Sequence, residues 1–118
     1  MSRDHKKLRV FALADQIALD VYRSTATFPA GERYGLQAQI RRSAVSTAAN
    51  IVEGCARDTT KDYKHFLTIA LGSASEARYL LDLAYRLEFV PKATAEPLEA
   101  RCGELVRSLQ KLVTSVSD

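Results

Sequence analysis

Arg42, Arg57, Lys61 and Lys64 are the side chains best suited to hold a polyanion, with Arg33 and Arg41 close by in the chain. Phosphate binding needs cations grouped on one face, and neighbouring aromatic rings add base stacking. Glu53, Asp58 and Asp62 interrupt the group, so the residues alone fit a solvated, charge-balanced face equally well. A second set, Gln39, Arg42, Ser46, Asn50 and Glu53, recurs at short steps on one side of a helix. It reads as a polar stripe that either reacts with something or joins helices or subunits.

Other chemistries lack their parts. A di-metal carboxylate centre in a helical protein needs inward Glu residues and a pair of Glu-x-x-His steps. His5 and His65 are the only histidines, and Asp62-Tyr63-Lys64-His65 has no mate. Nucleophilic catalysis needs a Ser or Cys beside a base that a third group orients. Ser43, Ser46, Ser73 and Ser75 are available, but His65 is the only candidate base inside the fold. Glycine-rich phosphate loops and dinucleotide fingerprints are missing. No catalytic residue, cofactor or metal ligand is therefore expected. Cys55 and Cys102 have no CxxC or Cys/His spacing, which predicts buried thiols in a reducing compartment.

With 118 residues, 47% of them hydrophobic and 26% charged, the chain is expected to form a single domain over 1–118 with its own core. The net charge of +3 tilts it toward anionic partners. No apolar run approaches the roughly 18 residues that span a bilayer, and Met1 to Lys7 is polar. A cytoplasmic protein with no membrane partner is the expectation.

The elements that must position these residues follow from periodicity. Val10, Leu13, Ala14, Ile17, Ala18, Val21 and Tyr22 predict a helix over 8–26, with Lys6, Lys7 and Arg9 at its start as a solvated basic segment in preference to one held by an acid or a polyanion. A turn rich in Pro and Gly follows, whose Phe28 and Tyr34 should fold back on the core in preference to stacking on a ligand. A second helix over 36–55 places Ile40, Ala44, Val45, Ala48, Ala49, Ile51, Val52 and Cys55 inward and leaves Ser43 on the polar side; Gly54 ends or bends it. Arg41 falls in the apolar arc, so pairing with Glu76 of the third helix or with an acid of a neighbouring subunit is expected. The third helix should run over 60–89, capped by Asp58, Thr59 or Thr60, with an apolar arc too wide for one bundle to cover. The fourth, over 94–116, should take Thr94 as its cap and Pro97 in its first turn, with a heptad seam of Leu98, Cys102, Leu105, Leu109, Leu112 and Val116. Helices joined by short turns, with no strand signal, predict an all-α, antiparallel up-down-up-down four-helix bundle.

Several segments together resemble a known family: Phe28-Pro29, Glu32-Arg33-Tyr34-Gly35-Leu36, Gln39-Ile40-Arg41-Arg42-Ser43-Ala44-Val45-Ser46, Asn50-Ile51-Val52-Glu53-Gly54 and Phe66-Leu67-x-Ile69-Ala70-x-Gly72-Ser73-x-x-Glu76. Their pattern is similar to the bacterial four-helix-bundle proteins first known from open reading frames in intervening sequences of the large ribosomal RNA gene. The resemblance implies a cytoplasmic homo-oligomer, a ring-shaped homopentamer, of unestablished biochemical activity. Similar accessory proteins of diversity-generating retroelements are thought to bind RNA and a reverse transcriptase. Gln37, Ala48 and Val52 stand where the family often has Ser or Thr, Pro, and Ala, which weakens the expected cap and kink of the second helix. Two readings follow: a non-enzymatic oligomer that binds RNA or DNA through Arg42, Arg57, Lys61 and Lys64, or a scaffold that docks a protein partner and no nucleic acid. In either, Gln39, Arg41, Ser46, Asn50, Glu53 and Glu76 form a polar stripe or interface.

Overall fold

The computed structural model describes residues 3–117; Met1, Ser2 and Asp118, the ends of the expected domain, lie outside the described residues. It contains α1 (Arg9–Thr25), α2 (Leu36–Cys55), α3 (Thr60–Arg86) and α4 (Lys92–Ser115), with 3-10 turns at His5–Lys7 and Ala30–Glu32 and no strand among the described residues. The molecule measures 45 × 23 × 19 Å. At 1.5 Å per residue α3 alone is about 40 Å long, so each connector must reverse the chain. α1 packs on α2 and α4, and α3 packs on α2 and α4. That ring of antiparallel neighbours is the up-down-up-down bundle.

Burial follows the helical period. Val10, Ala14, Ile17, Val21 and Thr25 form the inner side of α1, and Ile40, Ile51, Leu67, Leu81, Leu98, Leu105 and Leu109 are nearly inaccessible at the centre. Each such aliphatic side chain is worth about 1.5–3 kcal/mol before entropy. The α4 seam is buried at Leu98, Cys102, Leu105 and Leu109 and only partly covered at Leu112 and Val116.

Some expectations shift. The inner face of α2 includes Ser43 and Thr47, while Val45 and Ala49 are exposed. Thr47 tolerates burial because its Oγ1 donates to the Ser43 carbonyl at 2.9 Å, so its hydroxyl is not stranded. Gly54 is buried inside α2, and its role is close approach: a Cβ there would meet Phe66 Cβ at 3.1 Å and the Tyr63 carbonyl at 3.3 Å. Phe28 is buried, whereas Tyr34 is 89% exposed and does not join the core. Tyr22 is also half exposed.

α3 stops three residues earlier than its periodicity suggests. Glu88 takes φ 65°, and the N–H groups of Glu88 and Phe89 donate to the Tyr85 and Ala84 carbonyls at 2.9 Å each. This closes the helix in a Schellman motif at a residue other than Gly, which no sequence signal announced. Phe89 then packs on Phe28 with ring centroids 5.5 Å apart, joining the α3–α4 turn to the α1–α2 turn. Thr59 caps α3 by accepting from the Asp62 N–H at 3.1 Å. α4 starts earlier than expected because the Pro91 carbonyl accepts from Thr94 and Ala95. Pro91 is thus the N-cap, Thr94 lies in the first turn, and Pro97 sits inside the helix beyond that turn.

Candidate functional site

The bundle separates the predicted cations into two places. Arg57, Lys61 and Lys64 stand at the α2–α3 turn, whereas Arg42 is fifteen positions before Arg57 in α2, about 22 Å away along the axis at 1.5 Å per residue. At the α2–α3 end Arg57 pairs with Glu53 and lies over the Phe66 ring, 4.7 Å from its centroid. Lys61 is exposed and Lys64 half-buried. Arg3 reaches the same end, its N–H donating to the Cys55 carbonyl at 2.6 Å and its guanidinium 3.8 Å from the Tyr63 ring centroid. Arg9, read as part of a solvated basic start of α1, instead meets Glu104 of α4 at 2.6 Å.

The polar stripe is partly a real seam. Ser46 and Ser73 share a hydrogen bond of 3.0 Å between α2 and α3, and Asn50 Nδ2 donates to the Ser46 carbonyl at 2.8 Å and to Ser46 Oγ at 3.0 Å. Gln39 and Glu76 are exposed and stand apart from this linkage. Glu53 belongs to the Arg57 pair.

Arg41 turns to α1 and not to Glu76. Its Nε donates to Thr25 Oγ1 at 2.8 Å, its Nη2 donates to the Tyr22 carbonyl at 3.1 Å, and the guanidinium lies 4.4 Å from the Tyr22 ring centroid. The physical reason is the end of α1. Its last carbonyls lack intrahelical donors and carry the negative end of the helix dipole, which a cation satisfies. Gln37, oriented with its amide oxygen toward Arg41, accepts from both terminal nitrogens at 3.2 Å.

These contacts shape a cleft of about 360 Å³ lined by Tyr22, Arg33, Tyr34, Gln37, Ala38, Arg41 and Arg42. Its lining contains three guanidinium groups and two phenol rings and no carboxylate. The nearest acid in sequence, Glu32, is turned to the start of α2, where its Oε1 accepts from the Leu36 N–H at 3.1 Å. That bond replaces the side-chain cap that Gly35 cannot supply. Arg33 and Arg42 are both exposed, with Arg33 positioned 5.8 Å from the Tyr34 ring centroid.

Sequence reasoning noted Arg33 only as a neighbour of the cations, set ligand stacking by Tyr34 behind a core role because large aromatics beside a turn usually pack inward, and read Tyr22 as part of the apolar face of α1. A signal was present. Arg33 and Tyr34 lie only eight positions before Arg41 and Arg42, so the short turn into α2 keeps all four near one another at the same end of the bundle.

Elsewhere the side chains are quiet. His65 is exposed and lies edge-on to Phe66. Burial pushes the Cys102 thiol up to about 11, opposed by Arg101 and Arg78, and also raises Cys55, where Arg3 opposes it. Both cysteines are free and buried, so they are protonated at neutral pH and poor nucleophiles. Among the described residues no group of three or more His, Cys, Asp or Glu could hold a metal ion, and no helix is long and apolar enough to cross a membrane.

The fold and its surface thus define a small antiparallel helical bundle with a basic, aromatic cleft at the α1–α2 turn. The sequence profile of the family described as "23S rRNA-intervening sequence protein" matches residues 6–111. The chain belongs to this family. A crystal structure from Bacteroides thetaiotaomicron, described as a protein of unknown function from the S23 ribosomal protein family, is similar with a TM-score of 0.80 and 26% identity, over 90% of this chain and 99% of that one. A comparison with curated proteins found no match.

Proposed function

We propose that this chain is a cytoplasmic, non-enzymatic homo-oligomer, assembled as a pentamer, that binds RNA or DNA through surface arginines and lysines. The observation that carries the reading is the cleft at the α1–α2 turn, where Arg33, Arg41 and Arg42 line a surface with Tyr22 and Tyr34 and no carboxylate. Guanidinium groups match phosphate oxygens in a fixed, two-pronged geometry, and a water-exposed cluster of one sign attracts polyanions. Arg57, Lys61 and Lys64 at the other end add further phosphate contacts. Self-assembly is supported by apolar side chains left on the outer surface, among them Val45 of α2 and Ile69, Tyr79 and Tyr85 of α3.

Filter binding to a structured RNA tests this. Affinity should fall steeply between low and physiological salt, because each phosphate contact releases counterions. No binding even at low salt removes the nucleic-acid reading and favours a protein-docking scaffold. Light scattering tests the assembly: a strict monomer at micromolar concentration removes the pentamer.

A further inference from the structure

We infer that the cleft at the α1–α2 turn is a single-strand subsite in which Tyr34 stacks on an unpaired base while Arg33 and Arg42 hold the flanking phosphates. This deepens the nucleic-acid reading above and rests on it. Tyr34 is 89% exposed on the approach to α2, between the Ala30–Glu32 turn and the Gly35 N-cap. A ring so placed gives almost nothing to the core. It does offer an open π-face beside two exposed guanidinium groups, the combination that single-strand binding uses.

The remaining wall is already built. Arg41 is held by Thr25, the Tyr22 carbonyl and the Tyr22 ring. It therefore acts as a positioning residue that fixes Tyr22 and the floor of the cleft, leaving Arg33 and Arg42 to meet the ligand. The volume of about 360 Å³ lies at the small end of ligand sites and suits one extruded nucleotide. Bases inside a duplex are stacked on each other and cannot reach Tyr34, so the subsite discriminates strand state and not base identity. RNA and DNA single strands share the required phosphate and base chemistry.

Fluorescence anisotropy with labelled single-stranded RNA, single-stranded DNA and a duplex of the same sequence tests the assignment on the full chain. Tyr34→Ala should weaken single-strand binding by about 5- to 150-fold, the range of one lost base stack, and leave duplex binding unchanged, while Tyr34→Phe retains the wild-type affinity. Comparing the RNA and DNA arms shows which strand the subsite serves. The chain has no Trp, so its tyrosine emission is directly visible, and quenching by a single strand that is lost in Tyr34→Ala supports the stack. Wild-type binding that Tyr34→Ala leaves intact overturns the subsite and spares the wider reading. Absence of wild-type binding to every probe overturns both.

Discussion

At the α2–α3 end of the bundle, Arg3 lies on Tyr63, Arg9 on Glu104, and Arg57 on Glu53 and Phe66. At the α1–α2 end, Arg33 and Arg42 are exposed beside Tyr34, and the acid nearest in sequence, Glu32, is turned toward the α2 N-terminus. Both ends are rich in cations, and the cleft at the α1–α2 turn presents its arginines without a carboxylate in its lining. A count of Lys and Arg along the chain is therefore a poor guide to where a polyanion is attracted. What matters is the company each charge keeps, since a paired exposed charge contributes little net field.

The same contrast can be broken from either side. Gly54→Val at the α2–α3 end should have the largest effect on stability. A Cβ at Gly54 already lies within 3.1 Å of Phe66 Cβ, so a branched side chain forces α2 and α3 apart at about 3 kcal/mol. Thermal unfolding should shift down by on the order of 10 °C. Arg41→Met at the other end should lose about 2 kcal/mol in urea unfolding, because it removes charged hydrogen bonds to buried Thr25 and to the Tyr22 carbonyl. It should also weaken RNA binding by loosening Tyr22. Unchanged stability in Arg41→Met means that the arginine is not what closes α1.

Much of the fold was legible because it depends on periodicity alone. The limits of α2 fell where Gly35 and the polar connector after Cys55 put them. Periodicity failed where chain ends are set by backbone geometry: Glu88 closes α3 in a conformation usually left to Gly, and the carbonyl of Pro91 opens α4 before Thr94. The face of α2 was misjudged at Ser43, Val45 and Ala49: Ser43 is buried beside Thr47, whose hydroxyl bonds its own helix, while Val45 and Ala49 are left outside. Arg42 was named from the sequence with Arg33 and Arg41 close by, but the rings of Tyr22 and Tyr34 were not placed beside it. Arg57, Lys61 and Lys64 belong to the other end of the bundle, whereas Arg33 and Tyr34 come to Arg42 across the turn into α2.

In the proposed function, the α1–α2 end dominates nucleic-acid binding. The most direct test is the salt dependence of single-stranded RNA affinity in two double variants, Arg33→Gln with Arg42→Gln and Lys61→Gln with Lys64→Gln. Removing the arginine pair should give the larger loss of affinity and flatten the plot of log affinity against log salt by about 1.4, near 0.7 per phosphate contact. The lysine pair should change the slope less. Equal losses in the two variants, or a larger loss in the lysine variant, would contradict it.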